Sequence, residues 1–380
     1  AKLPCLPGTY RMPVRSAPAD VNATDHATDG APRLTRKHIA YDILHKRLGH
    51  CGLRRAKLAM SRSVGLPTCT FPNAPPACPG CDIGMHQQKL QPSLEASVSG
   101  GETSSYINAT DETTQQRQDV KPTATQYFGQ LVHTDLCGPF PKDREGYQYA
   151  ICFVDDYTRY AAIYFLKSKH ASNVKQAMER YQKSFRKHFK NGHVDTWHTD
   201  NGGEFTSSDL DDFCDEFAIR RSFSVPYEPK QNAKAERLWG IVLTPMRKYL
   251  AESGISDKYW THCMQHCLML HNVLPSSVLP NQISPSERLR GKLPDLSRLR
   301  VWGCKSYYHI PTRDRKSKLH PRNAVATYLG HDPLRKGDIV EVHSLNRITT
   351  SARLRFREDQ YYEHNSSMGN RIHADYHYFE

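Results

Sequence analysis

The sequence has no apolar run approaching the roughly 18 residues of a membrane helix. Its first ten residues show none of the order of a secretory signal. A soluble protein is therefore expected. An acidic excess is also missing: 52 Lys and Arg stand against 39 Asp and Glu, and the net charge of +13 points to polyanions, nucleic acid first, as partners. The eleven Cys are an odd number spread over 380 residues, which suits reduced thiols and metal ligands better than a disulfide framework. With 38% apolar and 24% charged residues, collagen-like and wholly disordered chains are excluded, and the length allows two or three domains.

The positive charge is concentrated in two blocks. From Arg33 to Arg62, nine Lys or Arg accompany the single acid Asp42, and from Ser286 to Arg357 there are seventeen against six acids. Residues 91–126 are rich in Ser, Thr, Gln and Glu, a composition that cannot bury enough surface to offset ordering entropy. These shifts divide the chain into a lead at 1–32, a small helical unit at 33–88, a linker at 89–125, a core at 126–290, a basic β-rich region at 291–360 and a tail at 361–380.

Within the core, Gln130–Asp135, Tyr147–Val154 and Tyr160–Leu166 read as three strands joined by short turns, Asp155-Asp156 forming one of them. Val174, Met178, Tyr181, Phe185 and Phe189 recur at helical steps. His193–His198 follows as a strand, Ser207–Phe217 as a short acidic helix, Ile219–Val225 as a fifth strand, and Lys230–Ala251 as a long helix that Pro245 should kink. The expected fold class is α/β, a five-stranded mixed sheet with helices on its faces.

Three acids stand out on that framework. Asp135 ends the first strand, Asp200 follows the fourth, and Glu236 lies on the long helix with 35 residues between it and Asp200. Convergent carboxylates need a cation to offset their repulsion, and oxygen ligands suit Mg²⁺ or Mn²⁺. Two such ions about 4 Å apart can activate an attacking oxygen and stabilise the leaving one at a phosphodiester.

The strings His133-Thr-Asp135-Leu-Cys-Gly138-Pro139, His198-Thr-Asp200-Asn-Gly-Gly-Glu-Phe205 and Gln231-Asn-Ala-Lys-Ala-Glu236-Arg237 resemble the catalytic signature of retroviral-type integrases, in particular the copia-type retrotransposon branch. The resemblance runs from about Ile43 to Arg357 and implies a ribonuclease H-like core whose triad is Asp135, Asp200 and Glu236. The family usually has Gly-Val where this chain has Ala233-Lys234. The resemblance implies a homo-oligomer working on DNA ends and target DNA in the nucleus; the unordered first thirty residues suggest a piece of a longer polyprotein, and no membrane partner is expected. Two other acidic features compete. Asp155-Asp156 is similar to the aspartate hairpin of reverse transcriptases, but a polymerase needs several hundred more residues around it. Glu179 occupies the helix from which a ribonuclease H draws a carboxylate, yet it lies off the apolar face.

A second metal site is suggested by His45, His50, Cys78 and Cys81, a common tetrahedral set for structural Zn²⁺. An unbroken helix would point the two imidazoles apart; Gly49 can end it and leave His50 in the turn beyond. The run Leu44-His-Lys-Arg-Leu-Gly-His50 resembles the start of the zinc-binding domain that precedes the copia-type core. Cys51, Cys69 and His86 lack the spacing of ligands. The denser cluster His262, Cys263, His266, Cys267 and His271 reads instead as the buried face of a helix, because Trp260, Met264, Leu268 and Leu270 pack alongside it.

In the basic region, Arg298-Leu-Arg-Val-Trp-Gly-Cys304 and Ala326-Thr-Tyr-Leu-Gly330 resemble the β-rich segment after the copia-type core. Strands are expected at Tyr307–Ile310, Ile339–His343 and Thr349–Phe356. Arg353, Arg355 and Arg357 would then share one face, suited to sequence-independent phosphate contacts. Lys230, Gln231, Asn232, Lys234 and Arg237 surround Glu236 and are candidates for holding DNA near the metals. The expected function is metal-dependent DNA 3′-end strand transfer. The alternatives are a non-catalytic nucleic-acid binder and a nuclease of ribonuclease H type.

Overall fold

The computed structural model describes residues 38–84, 125–224, 233–315, 317–332 and 334–362. Lys230, Gln231, Asn232 and His86 lie outside the described residues, as do most of the expected lead, linker and tail.

Three short helices open the described chain: α1 (Tyr41–Arg47), α2 (Leu53–Ser61) and α3 (Pro79–Gly84). The core follows with β1 (Val132–Cys137), β2 (Tyr149–Asp155), β3 (Ala161–Leu166), α4 (Ala171–Phe185), β4 (Thr196–Thr199), α5 (Ser208–Glu216), β5 (Arg220–Phe223), α6 (Ala233–Ser253), α7 (Trp260–Val273) and α8 (Pro285–Arg290). The sheet order is β3-β2-β1-β4-β5, with β1 antiparallel to β2 and parallel to β4. This is the expected five-stranded mixed sheet.

The period-two alternation of β2 and β3 explains how both faces are covered. Ala150, Cys152 and Val154, with Ala161 and Ile163, face one apolar cluster that contains α6 and α7. Ile151 and Phe153, with Ala162, Tyr164 and Leu166, face the other, where α4 contributes Val174, Met178, Tyr181 and Phe185. Helix α4 ends at Phe185, earlier than its apolar spacing suggests, but Phe189 beyond it is still buried against Phe128 and Tyr181. Helix α6 continues past Pro245 to Ser253, 21 residues in all.

The basic region forms a second five-stranded sheet: β6 (Cys304–His309), β7 (Asn323–Asp332), β8 (Gly337–Val342), β9 (Arg347–Ser351) and β10 (Leu354–Tyr361), in the order β10-β6-β7-β8-β9. The single strand expected over Thr349–Phe356 is therefore two. They lie at opposite edges of the sheet, although only residues 352 and 353 join them. At roughly 3.5 Å per residue so short a connector forces the two edges close together, so the sheet curls on itself.

The segment at 38–84 has no separate core. Leu44, Leu48, Ala56 and Ala59 belong to the same cluster as Val242, Met246 and Tyr249 of α6, Met264 and Leu268 of α7, and Trp302. Val64 bridges Asp295 in parallel, with Val64 N donating to the Pro294 carbonyl and Leu296 N to that of Val64. Gly65 is required there, because it adopts φ +83° and a Cβ would stand 2.5 Å from Asp295 Oδ1. Arg47 on α1 donates through two nitrogens to Glu358 on β10. Among the described residues no helix is long and apolar enough to cross a membrane.

Candidate functional site

The two His-Thr-Asp strings lie side by side. Strands β1 and β4 are parallel with His133 opposite His198, and the two imidazoles meet edge to face at 5.2 Å. Two residues further on stand Asp135, inside β1, and Asp200, just past the end of β4. Asp135 Oδ1 accepts its neighbour's amide, Leu136 N, at 2.9 Å, and Oδ2 accepts Trp239 Nε1 at 3.1 Å. Burial pushes the Asp135 carboxyl up to about 6, and the charges of Asp200 and Glu236 push it the same way against the two donors. Both other acids are thus near enough to act on it. Asp200 sits at the tip of β4, where its Oδ1 accepts Gly202 N at 3.0 Å. Glu236 is exposed in the first turn of α6. Oxygen donors of this kind are the type a hard divalent cation of the Mg²⁺ class takes, but the three carboxylates do not converge within a single ion's reach.

Sequence reasoning passed over two neighbours of this group. A Cβ on Gly202 would stand 2.9 Å from Glu204 Oε2 and 3.1 Å from Asp200 Oδ1, so both carboxylates border this glycine. The acid was visible in Asn-Gly-Gly-Glu, but the spacing alone gave it no partner. Trp239 follows Glu236 by one helical turn, and its indole reaches Asp135.

Lys234, a candidate for holding DNA, instead pairs with Asp156, which also accepts from Thr125 Oγ1 at 2.8 Å and lies 3.2 Å from both His133 Nε2 and Arg159. These partners hold the Asp156 carboxyl well below the usual range, although burial opposes them. Its neighbour Asp155 is buried at the end of β2 and accepts Gly129 N, Thr158 N and Thr158 Oγ1, so this acid pair forms the β2 to β3 turn. Arg237 is exposed and lines a cleft between α2 and α6 together with Arg54, Arg55, Arg159 and Lys234. The two arginines on α2 come from the first basic block, and only the packing of α2 near α6 brings them to the helix that carries Glu236. Glu179 is an exposed-face acid on α4, 3.4 Å from Lys183 one turn on.

Among the described residues, His45, His50, Cys78 and Cys81 are the one group of three or more His, Cys, Asp or Glu whose ligand atoms lie within a single ion's reach, all within 4.8 Å of one another. Helix α1 stops at Arg47, Gly49 turns at φ +75°, and His50 follows at φ +55°, which swings its ring back towards His45. Cys78 Sγ is 3.3 Å from His50 Nδ1, and Cys81 Sγ is 3.3 Å from His45 Nε2 and 3.9 Å from His50 Nδ1. The edges of a tetrahedron with bonds of about 2.0 to 2.3 Å are roughly 3.3 to 3.8 Å long, so the four donors fit a structural zinc ion. Burial lowers both histidines, His50 to about 3, which keeps them in the neutral ligand form. His45 Nδ1 lies 3.0 Å from the Cys51 carbonyl, an acceptor that leaves Nε2 free for a metal.

The histidines and cysteines of α7 are buried packing. Cys263, His266 and Cys267 are nearly inaccessible, and His266 stacks edge to face on Tyr249. Arg355 and Arg357 point out from β10, an edge strand, while Leu354, Phe356 and Glu358 turn inward; Arg353 is exposed just before it.

Residues 128–229 match the family described as Integrase core domain. The chain is 25% identical over 304 residues to the Retrovirus-related Pol polyprotein from transposon TNT 1-94 of Nicotiana tabacum, which covers 80% of this chain and 20% of that protein. It is 28% identical over 229 residues to that from transposon RE2 of Arabidopsis thaliana, covering 60% of this chain and 15% of the relative. The chain therefore spans a fifth or less of the curated relatives it matches best here. Among solved structures, the HTLV-2 integrase catalytic core domain in complex with magnesium aligns with a TM-score of 0.33 at 16% identity, over 43% of this chain and 97% of that one. Residues 128–229 are therefore similar to the Integrase core domain family, and the chain as a whole is similar to parts of the Pol polyproteins of plant retrotransposons.

Proposed function

We propose that this chain is the integrase portion of a retrotransposon polyprotein and joins DNA 3′ ends to target DNA in the nucleus, as an oligomer. The observation that carries this reading is the parallel pairing of β1 and β4 at His133 and His198, with Asp200 and Glu236 both close enough to raise the buried Asp135 carboxyl. Asp135, Asp200 and Glu236 would hold Mg²⁺ or Mn²⁺, which when bound supplies charge stabilisation at the attacked phosphodiester. Around them the protein's own groups bind and orient DNA. Arg237 and the α2 arginines flank the catalytic helix, and Arg353, Arg355 and Arg357 offer phosphate contacts on the second sheet. Lys230, Gln231 and Asn232 belong to the same proposal by sequence position alone. His45, His50, Cys78 and Cys81 would hold zinc as a structural ion, fixing α1 and α3 against α6.

The test is a strand-transfer assay on the purified full chain with a labelled DNA end and Mg²⁺ or Mn²⁺. Asp135→Asn, Asp200→Asn and Glu236→Gln should each abolish product about as fully as the triple variant, because the three act as one unit. Glu179→Gln should remain active. Activity that survives Glu236→Gln but not Glu179→Gln would replace this assignment with a ribonuclease H-type site.

A further inference from the structure

The four candidate zinc ligands belong to the small N-terminal unit, but the carboxylate nearest to them belongs to the core. Glu252 lies at the C-terminal end of α6, and its Oε2 is 3.3 Å from His50 Nε2, the ring nitrogen opposite the one that faces Cys78. The imidazole side chain is fully buried and the carboxylate nearly so. Its other oxygen, Oε1, is 2.6 Å from Lys46 Nζ. The phenol of Tyr361, on β10, stands beside the same carboxylate, which helps to raise it. Lys248, one turn earlier on α6, donates to the His50 carbonyl at 3.3 Å and stands by the Cys81 thiol. The approach is tight. A Cβ on Gly80, between the two cysteines, would stand 2.9 Å from His50 Cε1 and 3.0 Å from Glu252 Oε2.

A metal-bound imidazole presents its second nitrogen as N–H, and a carboxylate that accepts this proton fixes the ring and makes it a stronger ligand. Glu252 is the carboxylate at that nitrogen. We propose that Glu252 is the outer partner of the His50 zinc ligand, supplied in cis by the catalytic helix, so that zinc occupancy is linked to the docking of the N-terminal unit and of β10 on α6. Glu236 and Glu252 occupy the same helix, roughly 24 Å apart at about 1.5 Å per residue. One rigid element thus carries a candidate catalytic carboxylate near one end and the zinc-site carboxylate near the other. This inference rests on the reading of His45, His50, Cys78 and Cys81 as a zinc site.

The experiment uses the purified full chain and measures zinc affinity by competition with a chromophoric chelator, together with thermal unfolding of metal-free and zinc-loaded protein. Glu252→Gln keeps the size of the side chain and removes its charge. Zinc affinity should fall about 10- to 100-fold at an unchanged stoichiometry of one ion, while the metal-free protein melts as the parent does. Lys46→Met removes the ion pair to Oε1 and the cation over the Tyr361 ring but leaves the carboxylate at His50, and should weaken zinc far less than Glu252→Gln. Unchanged affinity in Glu252→Gln overturns the proposal. So does a metal-free variant that is destabilised as much as the loaded one, which would assign Glu252 to packing alone. A parent protein that binds no zinc, with Cys78→Ser silent, would instead overturn the zinc site itself.

Discussion

Trp239 Nε1 donates to Asp135 Oδ2 across 3.1 Å, from α6 to the central strand β1, and so ties together the two elements that carry Glu236 and Asp135. A hydrogen bond to a charged group is worth roughly 1.5 to 3 kcal/mol. Trp239→Phe keeps the apolar ring and removes only the donor. The concentration of Mg²⁺ needed for half-maximal strand transfer should rise several-fold while the fold persists. A Mg²⁺ titration of the parent and variant checks this; superimposable curves would leave the indole with no role at the site.

Removing zinc should loosen the N-terminal unit first. Its apolar residues share the core of α6 and α7, so chelation should not unfold the chain outright, but α1, α3 and the turn at His50 should lose amide protection. At zinc about 1,000-fold above its dissociation constant, linkage makes the ion worth roughly 4 kcal/mol. Hydrogen exchange with and without a chelator measures the effect. Cys78→Ser should reproduce the chelated pattern.

Asp156 gives the acid side of the stability profile. Its partners hold its folded pKa below the unfolded value of about 3.9. The stabilisation is therefore fully present above the unfolded pKa and is lost as pH falls through and below about 4. Asp156→Asn should cost on the order of 3 kcal/mol at neutral pH, since it strands Lys234 and Arg159 beside a neutral group. Denaturant melts across pH 3 to 7 should show a flatter acid decline in the variant than in the parent.

Arg353, Arg355 and Arg357 lie along the exposed face of an edge strand, and replacing all three by Gln should weaken DNA binding whatever the sequence. Each lost phosphate contact should flatten the plot of log affinity against log salt by about 0.9 on duplex DNA. An unchanged slope would remove this face from the DNA-binding surface.

The local code settled a good deal. Alternation in β2 and β3 specified a strand pair covered on both faces, because side chains of period two must find apolar cover on each side. The repeated His-Thr-Asp string marked two matching places in the chain, and the structure pairs their first residues, His133 and His198, across β1 and β4. Gly49 between two histidines announced the turn that brings them together, since its φ is one that glycine adopts without cost.

Other features had no local signature. The run at Thr349–Phe356 alternates throughout, and only pairing partners at opposite sheet edges divide it into β9 and β10. Lys234 reads as a free cation beside Glu236 until Asp156, from another turn, takes it. Arg47 meets Glu358 across 311 residues, and Trp239 meets Asp135 across 104. Glu252 is one more acid near a helix end until α3 packs on α6 and sets it beside His50. The sequence by itself determined most of the elements and the candidates for metal binding, because periodicity and turn residues act within a few positions. Only the tertiary structure decided which groups support that chemistry from outside, because such contacts follow from the docking of whole elements and leave no periodic trace in the chain.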